Sequence, residues 1–342
     1  MTLRSPFHVP WWYGFNLTLI LPVSTFLFLA TGPHGIDSAL AWTLPVWLLI
    51  AADRFSPAER RRIPASAPRW FFDGLLYTLV ALQIINVIAL GTMVSQLHWS
   101  WTATPEMATS LVNLLAIRIL GGTNACCAVM PPAHELIHRR SRWQRRLGRL
   151  LLVTNFYDHF YAAHKLGHHA QLGLQEDPST ARPAETYGVF LRRSLLSQWR
   201  IAWRYQPRRV MLGLAVEVAL LLSFWVMFGT LAACMLLYQA WVAIRLLEAV
   251  NYFQHFGLTV ESGRPLATAW RSESAVSLFI FLGLTRHADH HRRPSKTYPE
   301  LVDVADCPTL PYGYLITAIW VKNASDRYRR WALSGAAGES GP

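Results

Sequence analysis

The sequence predicts an all-α integral membrane protein, six transmembrane helices carrying a histidine-rich helical cap on the cytoplasmic side. Three observations carry that expectation. The 342 residues are 52% hydrophobic and only 15% charged, too apolar and too charge-poor for a soluble domain of this length. Long apolar runs alternate with polar stretches, and the basic residues gather in every second one. Nine of the 13 histidines stand in four short clusters.

Met1 to Pro10, with one basic residue, Arg4, leads into an apolar run from Trp11 to about Gly32. It lacks a small-residue cleavage site, so a retained membrane helix is expected rather than a signal peptide. After a turn at Gly32–Asp37 comes a second run, Ser38 to Ala52. A helix needs roughly 20 residues to cross ~30 Å of hydrocarbon, so this run must borrow from its flanks. Asp53 to Arg69 is polar and contains Arg60, Arg61 and Arg62. Trp70 to Ser95 is the third span, and Gln96 to Pro105 an uncharged turn. Met107 to Met130 is the fourth span, expected to end at Pro131-Pro132. Residues 131–209 are polar, Met211 to Val250 suffices for two spans broken near Gly229-Thr230, and residues 251–342 are again mostly polar. Amphipathic pieces there, Ser274–Leu284 and Pro311–Val321, are expected on the bilayer surface or under the bundle. The whole chain reads as one integral membrane domain: helices 1–4 in residues 11–130, helices 5–6 in 210–250, and cytoplasmic parts in 131–209 and 251–342.

Six spans put both termini, the 53–69 loop, 131–209 and the C-terminal region on one side. The turns on the other side hold no Lys or Arg, and only Arg118 and Arg245 lie within spans. The positive-inside rule makes the basic side cytoplasmic. This topology accounts for the net charge of +12 without a nucleic-acid partner. Cys126, Cys127, Cys234 and Cys307 form no Cys-x-x-Cys pair and read as packing residues. A charge within a span is costly and turns towards a partner. For Arg245 the expected partner is Glu248, three residues on.

The clusters are His134-Glu-Leu-Ile-His138, His164-Lys-Leu-Gly-His168-His169, a single His255, and His287-Ala-Asp-His290-His291. Residues four apart share a helix face, so His134 and His138 aim at one point, as do His164 and His168, with His169 one step around. Zinc is satisfied by three or four ligands, so nine imidazoles imply two metals. Ligand softness suits iron, copper, nickel or zinc. An iron pair is favoured because oxidising a C–H bond with O₂ at a membrane surface is chemistry zinc lacks, although softness alone does not exclude zinc. His134 to His138 also fits the H-E-x-x-H metalloprotease motif with Glu135 as base, a reading that leaves most of the remaining histidines unexplained. Glu135, Asp158, Glu248 and Asp289 are candidate carboxylates to fix imidazole tautomers, with His159 and Asn251 as supporting hydrogen-bonding neighbours. An apolar substrate is expected to enter from the bilayer through a channel among the first four spans, where Trp42, Trp47 and Phe72 limit chain length.

Asn251-Tyr252-Phe253-Gln254-His255-Phe256-Gly257-Leu258 resembles the N-Y-x-E-H-Y-G-L signature of alkane hydroxylases. Asn155–Tyr161, Glu176–Arg182 and Leu310–Tyr314 add similar stretches. From Pro132 to about Trp320 the chain thus resembles the membrane-bound non-haem diiron oxygenases: alkane 1-monooxygenases, xylene side-chain monooxygenases and, more distantly, fatty acid desaturases. The resemblance implies two irons held by the nine histidines in a bacterial inner membrane. It also implies hydroxylation of a terminal methyl group, on a medium- or long-chain alkane foremost, with O₂ and two electrons. Gln254 replaces the usual glutamate, as in xylene-type enzymes, and Phe256 the tyrosine. Thr285 and Ala288 stand where alkane hydroxylases carry Gln and Ser. Aromatic methyl hydroxylation, desaturation and fatty-acid decarboxylation therefore stay open. With no cysteine pairs and no G-x-G-x-x-G, the electrons must come from a separate carrier, rubredoxin or ferredoxin, and its reductase. Basic residues around Arg139–Arg149 and Arg292–Lys296 are candidates to dock it.

Overall fold

The computed structural model describes residues 10–259 and 268–336, and the short lead 1–9 and the last part of the C-terminal region, 337–342, lie outside the described residues. A backbone in lipid must satisfy its own hydrogen bonds, so the apolar runs form helices. Five of them, among the described residues, are long and apolar enough to cross a bilayer: α1 Trp11–Thr31, α2 Ile36–Arg54, α3 Arg69–Ser95, α4 Pro105–His138 and α8 Pro207–His255. The short second run does borrow from both flanks. Leu48, Ile88, Leu212, Val226 and Met227 are exposed on outer faces, an arrangement suited to lipid. Between α4 and α8 lie α5 Arg142–Val153, α6 (160–171) and α7 Tyr187–Tyr205. After α8 come α9 Ala275–Ile280, α10 His287–Arg292, α11 Tyr314–Asn323 and α12 Ser325–Ala336.

The expected stop at Pro131-Pro132 does not occur, because α4 continues through both prolines to His138. Prolines remove two backbone donors from the helical ladder. The turn just before them, Ala125–Val129, is widened to i→i+5 bonding and absorbs the mismatch.

The break expected near Gly229 is present and is a reversal. Glu217 Oε1 accepts from the Asp158 backbone N–H (2.9 Å) and Glu248 Oε1 from the Tyr157 hydroxyl (2.9 Å). In a straight helix those glutamates would stand ~46 Å apart at ~1.5 Å per residue. The element therefore doubles back at Gly229, whose φ of 85° and ψ of 175° glycine adopts without steric penalty.

The amphipathic C-terminal pieces lie under the bundle. α9 is buried against the start of α1, and α11 packs on α8 and α2. A buried carboxylate at the end of α2 ties them together. Asp53 Oδ1 accepts from the hydroxyls of Ser274 and Ser277 (both 2.6 Å), and Oδ2 from the N–H groups of Leu315 (3.0 Å) and Ile316 (3.4 Å). The second pair is the first turn of α11, where a negative charge is favoured. Any Cβ at Gly313 would fall inside that carboxylate, so the close approach requires glycine.

Candidate metal centre

The nine clustered histidines converge. His134 lies 4.6 Å from His290 and His168 4.7 Å from His255, centroid to centroid, although up to 156 residues separate the partners. Their ligand nitrogens sort into two groups, His134, His138, His164, His169 and His290 in one and His168, His255, His287 and His291 in the other, each spanning no more than 4.8 Å. Within the first, Nε2–Nε2 distances are 3.0 Å for His138–His164, 3.0 Å for His164–His169 and 3.3 Å for His169–His290. Within the second they are 3.1 Å for His168–His291 and 2.9 Å for His287–His291. Imidazoles bound at ~2.1 Å and near right angles to one ion would place their nitrogens ~3.0 Å apart.

The register of the second cluster differs from expectation. His164–His168 is a π-type turn, not an α turn, so residues five apart come into line. His164 consequently joins His169, and His168 turns to the other group.

A metal fits this arrangement on the evidence of orphaned atoms. Nε2 of His134 and of His255 is buried without a hydrogen-bond partner in the protein. His255 Nδ1 donates to the Thr268 carbonyl (2.9 Å), which leaves its Nε2 lone pair facing the cluster. His168 Nδ1 bonds to both carboxylate oxygens of Asp177 (2.9 and 3.1 Å). Asp177 also accepts from the backbone N–H groups of Gly173 (3.2 Å) and Ser179 (2.9 Å) and from the Thr180 hydroxyl (2.7 Å). Burial opposes ionisation of Asp177, but His168, with His255 and the Thr180 hydroxyl, holds its carboxyl below the usual range. Burial first, then mutual repulsion, pushes His164, His287, His290 and His291 well below the ordinary imidazole value, and His169 to about 2. Neutral rings are what metal ligation requires.

Asp177 is the carboxylate that sequence reasoning passed over; its only signal was its place in the 176–182 stretch. The carboxylates singled out instead bond to other groups. Glu135 pairs with Arg139 (2.8 Å) and accepts from the Tyr298 N–H (3.2 Å), which turns it away from the imidazoles and leaves H-E-x-x-H without a poised base. Asp158 takes Arg149 in a two-point pair (2.8 and 2.5 Å), and Asp289 takes Lys296 (2.7 Å) and the Val302 N–H (3.0 Å). Glu248 accepts from Tyr157, Ser194, Gln198 and Asn251, not from Arg245. His159 stacks on Trp199 with centroids 3.9 Å apart. Of the three channel candidates, Trp47 lines a cavity beside the bundle. Phe72 is buried with Phe15 and Tyr298 and borders a different cavity, with Ile63, Pro299 and Leu301, and Trp42 sits against Phe28 and His34 in the first half of α2.

The sequence model of the fatty acid desaturase family matches residues 108–317, more than half of the chain and all four histidine clusters. The chain belongs to that family. Within it, the chain is similar to alkane 1-monooxygenase 1 of Pseudomonas aeruginosa, 29% identical over 302 residues that cover 80% of this chain and 76% of the relative. Alkane 1-monooxygenase 1 of Alcanivorax borkumensis is 30% identical over 260 residues, covering 68% and 64%. The xylene/toluene monooxygenase hydroxylase component XylM of Pseudomonas putida is 26% identical over 234 residues, covering 59% and 61%.

Proposed function

We propose that this member of the desaturase family is a diiron monooxygenase that hydroxylates the terminal methyl group of an apolar substrate, a medium- or long-chain alkane in the first instance. One observation carries the reading. A small hollow is bordered by histidines of both groups, His134 and His164 from one and His287 from the other, and by the apolar side chains of Met130, Phe160, Leu247 and Leu284. The relatives named alkane 1-monooxygenase agree with it.

The nine histidines would hold two irons, which when bound supply activation of O₂ and insertion of one oxygen atom into a C–H bond. The chain's share is positional. Asp177 and the Thr268 carbonyl fix two ring orientations. The apolar wall of the hollow presents a methyl group to both sets, and burial of His164, His168, His255, His287 and His290 keeps water out. In this reading the two arms of α8 bring the crossings to six, in a bacterial inner membrane with the cap cytoplasmic. A rubredoxin or ferredoxin, served by its reductase, docks by charge on Arg140, Arg142, Arg146, Arg292 and Arg293, all exposed.

A second reading, hydroxylation of an aromatic methyl group, is favoured by Gln254. Its Nε2 donates to the Tyr314 hydroxyl (2.7 Å) and the Leu284 carbonyl (3.2 Å), the latter a bond that the glutamate of alkane hydroxylases cannot donate. The test is product analysis with the full-length protein, a carrier and its reductase, fed octane, xylene and a free fatty acid, with metal content measured in parallel. We expect iron near two per chain and octan-1-ol as the main product. Methylbenzyl alcohol in excess would move the assignment to the second reading, and a single zinc with no oxygenated product would end both.

A further inference from the structure

A cavity of about 430 Å³ lies between α2, α4, α8 and α11. Trp47, Ile50, Leu246 and Leu315 give it apolar walls, and Arg118, Arg245 and Lys322 bring three cations to it from three different helices. Among the described residues none of the three is in an ion pair. Arg118 Nε donates to the Tyr238 hydroxyl (2.9 Å), and the Arg245 guanidinium lies 5.9 Å over the Trp241 ring. Glu248, the acid nearest Arg245 in sequence, is fully buried and held in the core by four donors. Burial, and then the nearness of Arg245 and Arg118, pushes the Lys322 ammonium below its ordinary value.

Arg118 is exposed at the rim while Arg245 and Lys322 are half-buried, so the three like charges repel one another and the inner two lose hydration, a cost that a bound anion would remove. The depth suits a particular kind of anion. Trp47 lies six residues before Asp53, ~9 Å along α2 from where the apolar run gives way to the polar 53–69 stretch, so the cavity sits near one end of the candidate span and not at its middle. Trp47 and Ile319 leave the apolar side of the cavity exposed towards lipid. The hollow beneath the histidines is separate: α8 turns Leu247 and Asn251 to the hollow and Leu246 and Val250 to the cavity.

We propose that this cavity binds an anionic head group carried on a hydrocarbon chain and taken up from the bilayer. A phospholipid phosphate and a fatty-acid carboxylate share that chemistry. The test titrates the full-length protein, purified in a neutral detergent, with phosphatidylglycerol, laurate, dodecanol, phosphatidylcholine and inorganic phosphate, and follows binding by native mass spectrometry and by the thermal midpoint. We expect one anionic amphiphile per chain, binding at least about tenfold more tightly than dodecanol, phosphatidylcholine or inorganic phosphate. Arg245→Gln with Lys322→Gln should lose about tenfold or more of that affinity. Should the double variant fold poorly, Lys322→Gln alone should weaken binding while Lys322→Arg retains it. Preference for phosphatidylglycerol assigns the phosphate, and preference for laurate the carboxylate. Equal binding of charged and uncharged chains, or unchanged affinity in the glutamine variants, overturns the proposal.

Discussion

Of the two histidine groups, the one with four members is braced from behind and the one with five is not. His168 backs onto Asp177 and His255 onto the Thr268 carbonyl, so two rings of the smaller group have their tautomer and orientation set before any metal arrives. Among the described residues no hydrogen bond to a carboxylate or carbonyl fixes a ring of the larger group, whose nitrogens approach only one another. The comparison indicates two ways to make a site: few donors held rigidly, or more donors held by packing and by the ion itself.

Removing a donor outright tests both. His168→Ala and His290→Ala, one from each group, should each abolish turnover and lower iron per chain well below wild type, read by elemental analysis and product formation. Full activity in either would contradict the grouping.

Asp177→Asn should have a smaller and one-sided effect. The amide keeps the shape but loses the charge and presents a donor to groups that already donate. We expect about 10–100-fold weaker metal binding at the four-histidine group, with the five-histidine group little changed. Chelator competition monitored as iron per chain would show one ion leaving early. Two ions leaving together at wild-type affinity would show that the brace is idle.

The smallest effect concerns pH and uses His159, which belongs to neither group. Burial lowers its pKa to about 3. The unfolded chain protonates this ring below about pH 6.5 and the folded chain does not, so stability is lost as pH falls from about 6.5 towards 3, by at most ~1.4 kcal/mol per pH unit for one group. His159→Phe should flatten the acid limb of a thermal-midpoint profile and leave the neutral limb unchanged. An identical acid limb would assign the pH dependence to the clustered histidines.

The spans and the nine histidines were legible because hydropathy and histidine spacing are local signals, each read within one helix. The rest depends on distant partners. Asp177 orients His168 from a loop, where one aspartate among several carries no periodic mark. The sorting of His164 with His169 rests on a π-type turn, and the passage of α4 through Pro131-Pro132 rests on another, and neither turn has a residue pattern of its own. Proximity of three residues suggested Arg245 with Glu248, but four donors from α7, α8 and the Tyr157 turn claim that glutamate first.

Asp53 carries a consequence for how the protein is made. It leaves the ribosome with the second hydrophobic segment, whereas the serines and amides that donate to it stand 221 to 263 positions later. The early helices are therefore made well before the segments that close this end of the bundle, and the histidine pocket is a late product of translation rather than a seed for it.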